Sequence, residues 1–437
     1  MLNVMTTRAR PGMVLALPVF HPTHAGHALL KPGYELDASV LRRLGELKVP
    51  SVWIRYPGLE AVVRFISPEV VHEHAQLTRT LSDSLDGLAR GAAAALDFGH
   101  YAHAVKGLVA KLGEASSRQL LVSEVMAASP GLAAHASAVC FTSLLMGLKL
   151  DSYLIAQRSK LSPMHARHVE NLGVGALLHD IGITRLAPDV VARFDQAGDE
   201  SDPDWQAHVR LGVDMTHGQV EPSAAAVIAH HHQRYDGRGF PWVPSACGQR
   251  RLSGDEIHVF ARIAAVADQY DRVRGAPHVL AANEGRPIPA VRALHEMVRR
   301  ARRREVDPIV VKALLAVVPA FAPGSMVTLS DGRTAAVVGF DPLHPCRPLV
   351  QPVDPEAHPA GLSGEPDPID LRSTPRLRVV EAEGQPVEAH LFAAMDAEEF
   401  DLRYVYVRPG PRQAHPAPPA PPAPPASPPP APASAER

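Results

Sequence analysis

Between Pro68 and Val318 the apolar residues recur at helical spacing in one segment after another, and this limits the fold more than any other feature. The segments read VHEHAQLTRTLSDSLDGLARGAAAAL, YAHAVKGLVAKLGEASSRQLLVSEVM, LAAHASAVCFTSLLMGLKL, HARHVENLGVGALLHDIG, WQAHVRLGVDMTHG, AAAVIAHHHQRYDG, IHVFARIAAVADQYDRV and IPAVRALHEMVRRA. Recurrence at i, i+3, i+4 and i+7 places one apolar face on each helix, and such helices are stable only when they bury those faces against one another. A composition of 46% hydrophobic but only 5% aromatic residues suits Ala/Leu/Val-rich helical packing. The expected fold is mainly α, a helical bundle flanked by smaller β-rich parts.

The flanks have a different texture. Residues 1–67 carry β-branched runs between turn signals (GMVLALPVF, HALLKPGYEL, VPSVWIR) and one helical pattern, DASVLRRLGELKV, which Asp37 or Ser39 could cap. They read as a small β-rich module of α+β type. Residues 68–124 read as connector helices, weakly coiled-coil-like and suited to a homodimer contact, and 125–320 as the main helical domain. In 321–410, GSMVTLSDGRTAAVVGF reads as strand, Asp-Gly turn, strand, with further strands in TPRLRVVEA and RYVYVRPG. Residues 411–437 are a Pro/Ala tail that cannot build a core, expected to be disordered and extended.

A formal net charge of -2 offers no general attraction to DNA or anionic membranes. The cysteines, Cys140, Cys247 and Cys346, are odd in number and scattered, which argues against a disulfide framework and for a reducing cytoplasm. No membrane span is expected, because no stretch is apolar without interruption for about 18 residues. The apolar run after Arg8 and Arg10 is a poor signal peptide, opened by Pro11 and Gly12 and broken at Pro18.

Near the ends of the helical patterns stand His135, His179-Asp180, His208, His230-His231-His232 and Asp268. A single histidine at a helix end is more often structural than a ligand, and a chain with 23 histidines clusters some by chance. Imidazoles mixed with carboxylates, however, suit a first-row transition metal. Successive helical side chains diverge by about 100°, so His179 and Asp180 can address different sides of one site. Asp180, with two oxygens, can bridge two cations, and a bridged pair activates water and clamps a phosphoester.

These residues carry a resemblance. LLHDIG resembles the signature of the HD superfamily of metal-dependent phosphohydrolases, HHQRYDGRGFP the second signature of its HD-GYP subgroup, and RIAAVADQYD that subgroup's third block. The resemblance spans about residues 125–320; the N-terminal module is similar to the small domain often found before HD-GYP units. It implies hydrolysis of cyclic di-GMP to pGpG or GMP through a metal-bridged hydroxide, in bacterial second-messenger signalling. The implied cofactors are two divalent transition metals, Fe or Mn, held by His135, His179, Asp180, His208, His231, His232 and Asp268. Asp180 is the implied bridge and, with His179, the catalytic pair; His230 is an incidental neighbour. Asp236, Gly237, Gly239, Phe240 and Pro241 would form the GYP-like loop, with Phe240 where tyrosine is usual. Gly131 stands where a carboxylate can supply a third metal site, so two metals are expected.

Three positions depart from the pattern. Ile183 replaces the lysine after HDIG, Gln233 the glutamate after the His pair, and Pro277 falls where the third block has arginine. The lysine and arginine hold substrate phosphates in the family, by charge-assisted bonds worth about 1.5–3 kcal/mol each. Arg185, Arg234, Arg238, Arg272 and Arg274 lie in or beside the motifs and are the candidate replacements. The run VRRARRRE reads as a solvated helix face, or as a docking surface for an acidic partner such as a receiver domain or diguanylate cyclase. Two alternatives stay open: a catalytically weak HD-GYP effector that binds nucleotide or protein, and an HD hydrolase acting on another phosphoester.

Overall fold

The computed structural model describes residues 1–22, 24, 26–89, 96–114, 131–354 and 367–393. The expected strand in RYVYVRPG, the Pro/Ala tail and the segment RQLLVSEVM lie outside the described residues.

The N-terminal part pairs β1 (Leu2–Met5) antiparallel with β4 (Ser51–Ile54), Leu2 opposite Ile54. Between them lie the short β2 (Val19–Phe20) and β3 (Ala28–Leu30) and the helix α1 (Ala38–Glu46). Asp37 caps α1 by accepting the Val40 N–H at 2.8 Å, and Ser39 donates to the same carboxylate oxygen. In GMVLALPVF, Met13, Leu15, Leu17 and Val19 are buried in strict alternation, the period of an extended chain with one face inward. Val14 and Leu15 form only isolated bridges, to Glu35 and Ile54, whereas Val19–Phe20 at the end of the segment pairs with β3.

The helices follow in order: α2 (Pro68–Ala89), α3 (Phe98–Glu114), α4 (Leu132–Lys149), α5 (Asp151–Gln157), α6 (Pro163–Ala166), α7 (Glu170–Leu178), α8 (Pro188–Ala197), α9 (Pro203–Thr216), α10 (Pro222–His230), α11 (Val259–Gly275), α12 (Pro277–Ala282), α13 (Ala290–Arg302) and α14 (Pro308–Val317). Proline at the first turn of α6, α8, α9, α10, α12 and α14 supplies a helical φ where no N–H is needed. The sequence HARHVENLGVGALLHDIG, expected as one helix, is split into α6 and α7. The centre of the bundle is α4 against α7 and α11, with α10 closing on α7 and α11. Gly175 permits that closure: a Cβ there would lie 2.7 Å from the Val227 side chain and 2.8 Å from the Ala224 carbonyl. By length and composition α4 could cross a membrane, but here it is the bundle's core helix, packed by α2, α7, α11 and α14. Its apolarity is alanine, valine and leucine facing neighbours on several sides.

After α14 comes a six-stranded sheet in the order β10-β9-β8-β7-β11-β12, its β7 (Met326–Leu329) and β8 (Thr334–Gly339) forming the expected hairpin. The strands β9 (Leu349–Pro352), β10 (Ile369–Asp370) and β12 (Gln385–Pro386) join it, as does β11 (Val379–Ala382) from TPRLRVVEA. The sheet touches both ends of the fold. Asn3 donates to the Gly324 carbonyl at 2.8 Å, and on α11 Arg274 pairs with Glu383 at 2.9 Å.

On α2, His74 is buried against the Ser137 carbonyl at 3.2 Å, and burial pushes its pKa down to about 4. An unfolded histidine titrates near 6.5, so between pH 6.5 and 4 the unfolded chain binds more protons than the folded one. Stability is therefore complete above pH 6.5 and falls as pH drops through that window, by about 1.4 kcal/mol per pH unit for His74 alone. Denaturation midpoints at pH 7 and pH 5 test this. His74→Gln should show a smaller drop than the parent chain, and an equal drop would remove His74 from the account.

Candidate metal centre

Seven side chains converge at the heart of the bundle. His135 projects from the first turn of α4; His179 and Asp180 follow the end of α7; His208 lies in α9; His231 and His232 follow α10; Asp268 lies in α11. They form two groups, His135/His179/Asp180/Asp268 and Asp180/His208/His231/His232, with Asp180 common to both. Its oxygens divide between them. Oδ1 lies 3.4 Å from His208 Nε2 and 3.5 Å from His231 Nε2, whereas Oδ2 lies 3.4 Å from His179 Nε2 and 3.6 Å from His135 Nε2. Asp268 Oδ1 completes the latter group, 3.1 Å from His135 Nε2 and 3.6 Å from His179 Nε2.

The histidines are oriented from behind. His179 Nδ1 bonds the Ala176 carbonyl at 2.8 Å, His208 Nδ1 that of Trp205 at 2.6 Å, His231 Nδ1 that of Ile228 at 3.0 Å, and His135 Nδ1 the Asp271 carboxylate at 2.7 Å. An imidazole that donates through Nδ1 turns its Nε2 lone pair inward, the arrangement that fixes a metal-ligating histidine. Those inner atoms lack partners: His135, His179 and His231 Nε2 and Asp180 Oδ1 are buried without a hydrogen bond. Buried polar atoms are ordinarily satisfied, and several orphans aimed at common points fit a cation. The spacing agrees as well. Two ligands each about 2.1 Å from one ion stand roughly 3.0–3.4 Å apart between right-angled and tetrahedral geometry, close to the 3.1–3.6 Å separations seen here. His208 and His232 also face each other Nε2 to Nε2 at 3.2 Å.

The halves differ electrostatically. Burial disfavours the charged form of His179, but Asp180 and Asp268 outweigh it and lift the pKa to about 9. For His135, burial and Arg272 likewise lose to three carboxylates, and its pKa is raised. In the other half burial wins: His208 is pushed down to about 4 and His232 well below the usual range. Asp180 and Asp268, despite burial, are held well below the carboxylate range by the adjoining histidines and Arg272.

Two glycines make the site's turns possible. A Cβ on Gly182 would strike the His208 backbone, so the chain after Asp180 can lie against α9 only with glycine there; one on Gly239 would strike the backbone of His232 and Arg234. In the loop, Gly237 has φ +78°, Asp236 accepts from Arg234 and from the Arg238 N–H, Phe240 stacks on His232 at 4.4 Å between ring centres, and Phe240-Pro241 is cis. Gln233 explains its own departure from the pattern. Its amide donates to the Pro241 carbonyl and accepts the Leu252 N–H at 3.3 Å, a pairing that needs both a donor and an acceptor. Gln233→Glu should thus lower stability by about 1–3 kcal/mol. Urea denaturation checks it, and an unchanged midpoint would contradict the role.

Beside the centre opens a cavity of about 850 Å³, lined by Arg234, Arg272, Arg292, Arg299 and Arg300 and by Glu200, Glu296 and Glu305, with His278, His295 and His390. Of the five arginines singled out in the sequence, Arg234 and Arg272 line it. Arg185 and Arg238 are exposed, and Arg274 is engaged with Glu383 and the Ile288 carbonyl. Arg299 and Arg300 come from VRRARRRE, which is thus not wholly a solvated face. Ile183 packs on the cluster of Val190, Phe194 and Trp205, and Pro277 opens α12. Asp271 and Arg292 went unread in the sequence, although Asp271 ends the third block, one helical turn beyond Asp268.

Residues 148–310 match the HD domain family model. The chain is 29% identical over 177 residues to cyclic di-GMP phosphodiesterase PA4108 of Pseudomonas aeruginosa, covering 39% of this chain and 38% of that protein. It is 29% identical over 126 residues to the cyclic di-GMP phosphodiesterase response regulator RpfG of Xanthomonas campestris pv. campestris, covering 28% and 30%. A third relative is the 3'3'-cGAMP-specific phosphodiesterase 2 of Vibrio cholerae, 29% identical over 97 residues, 22% of this chain and 17% of that protein. The chain spans well under half the length of each of these relatives.

Proposed function

The chain belongs to the HD-GYP subgroup of the HD superfamily, and on that footing we propose that it is a two-metal phosphodiesterase hydrolysing cyclic di-GMP to pGpG and/or GMP. The observation that carries the reading is Asp180, which turns one oxygen to each of two histidine groups, in which the inner nitrogens of His135, His179 and His231 are orphaned. His135, His179 and Asp268 would hold one divalent metal and His208, His231 and His232 the other, with Asp180 between them. The mixed imidazole and carboxylate donors suit Fe or Mn. Two such metals would lower the pKa of a water and offset charge on the phosphoryl oxygens.

The protein's own groups would do the rest. Asp271 and the carbonyls of Ala176, Trp205 and Ile228 hold the imidazoles in their ligating tautomer. Arg234, Arg292, Arg299 and Arg300 supply positive charge along the cavity for the two phosphates of a cyclic dinucleotide. Within this reading residues 125–320 are the catalytic unit, the setting is the cytoplasm, and a receiver domain, a diguanylate cyclase or a second copy of the chain is the protein partner.

The test uses the full chain, stripped by a chelator and reloaded anaerobically with Fe(II) or Mn(II), the stripped protein serving as blank. Chromatography should find pGpG or GMP only with the reloaded protein. Intact substrate would overturn cyclic di-GMP hydrolysis and leave a nucleotide-binding effector. Ile183 in an apolar cluster and Pro277 opening a helix favour a second reading, in which the rebuilt phosphate contacts select another cyclic dinucleotide. Running 3'3'-cGAMP in parallel separates the two.

A further inference from the structure

Arg272 stands one turn beyond Asp268 on α11, and its guanidinium is bonded inside the centre rather than extended along the cavity wall. Its Nε donates to Asp268 Oδ1 at 2.6 Å and its Nη2 to Asp180 Oδ2. Those oxygens are the ones that face His135 and His179. Asp180 Oδ1, which faces His208 and His231, has no hydrogen-bond partner. One half of the centre therefore already contains a permanent cation on its carboxylates, and the other half does not.

A guanidinium and a divalent metal cannot share this place. They compete for the same lone pairs, and in a buried site their like charges repel strongly. Arg272 is nevertheless not locked in. Its side chain is 15% exposed, it borders the 850 Å³ cavity, its Cζ sits 5.5 Å over the Phe194 ring, and Glu200 on the same wall could receive it. Rotation about its own side-chain bonds would carry the charge from the carboxylates into the cavity.

We propose that Arg272 and the metal of the His135/His179 half exclude one another. The centre then loads in order, the His208/His231/His232 half first, the other only as Arg272 swings into the cavity. This rests on the metal-centre reading above.

The test is a titration of the chelator-stripped full chain with Mn(II) alone, without oxygen. Calorimetry would give affinities, elemental analysis after gel filtration the ions bound per chain, and electron paramagnetic resonance the coupled-pair signal. The parent chain should take one ion tightly and a second roughly 100- to 10,000-fold more weakly, the range set by two charge-assisted bonds to be broken. Arg272→Gln, which keeps a donor and loses the charge, should tighten the second ion by a similar factor and show the pair signal at lower Mn(II). Arg272→Lys, with one point contact in place of two planar ones, should fall between them and serves if the glutamine variant does not fold. Two equal affinities in the parent chain, or a second affinity untouched by either variant, would overturn the competition while leaving the metal centre standing. No bound Mn(II) in any of the proteins would overturn the centre itself and the competition with it.

Discussion

Asp180→Ala is expected to empty both halves of the centre at once and to abolish turnover. Each half draws on one oxygen of this carboxylate, so no other single side chain belongs to both groups. Losing an outer contact to a metal ligand typically costs about 10–100-fold in affinity or activity, and losing a shared inner ligand should cost on the order of a thousandfold. Asp180→Asn should fare little better, because its NH2 would meet one of the two inner lone-pair sets as a donor. Metal content and product formation are to be measured on the same preparations. Two ions per chain in the alanine variant, with turnover within tenfold of the parent, would end the bridging assignment.

The second large effect lies away from the chemistry. Arg262 on α11 is 3% exposed, with Nη1 2.8 Å from Asp307 Oδ2 and 2.6 Å from the Tyr153 hydroxyl, and Nη2 2.6 Å from Gln157 Oε1. Asp307 also accepts from the Tyr153 hydroxyl at 2.7 Å and caps α14 through the Ile309 N–H at 2.9 Å. This network ties α5 and α14 to α11, the helix that carries Asp268. Arg262→Met strands the Asp307 charge in the interior, and breaking a buried pair from one side costs about 3–5 kcal/mol. Equilibrium denaturation followed by circular dichroism reads the loss. The double replacement Arg262→Met with Asp307→Leu should recover much of it, since no charge is then left unpaired. If the double variant were as unstable as the single one, packing rather than charge would be the cause.

What could be read ahead in the chain was what short motifs and local periodicity encode. Five of the seven candidate ligands stand in three blocks whose order carries the family resemblance, His135 and His208 lie in helical patterns outside them, and the helices around them announce themselves by their apolar spacing. The Asp37 cap and the β7-β8 hairpin are equally local. The strand β1 was not legible, because its partner β4 lies about fifty residues away and four residues carry little pattern. The role of Gln233 was hidden for a similar reason: its amide is specified by Pro241 and Leu252, which meet it only once the loop has closed. The cavity wall draws on α8, α11, α12, α13 and residues 389–390, so no single window showed its arginines together. Arg272 is the sharpest case. It looked like one more substrate contact by its place beside the motif, whereas its spacing of four from Asp268 turns it back onto the carboxylates.

The contact between Glu383 and the last turn of α11 has a practical consequence for anyone designing a shorter version of this protein. Glu383 takes the Arg274 guanidinium at 2.9 Å and the Ala290 N–H at 3.0 Å, and just beyond it Ala389 and His390 complete the cavity rim. An expression clone stopped at residue 320 would keep all seven candidate ligands and match the family as well as before. It would also be missing a wall, with Arg292 deprived of Gln385 and the groove beside α13 open to bulk water. Weak nucleotide or metal binding by such a truncated protein would report on the cut, not on the full chain.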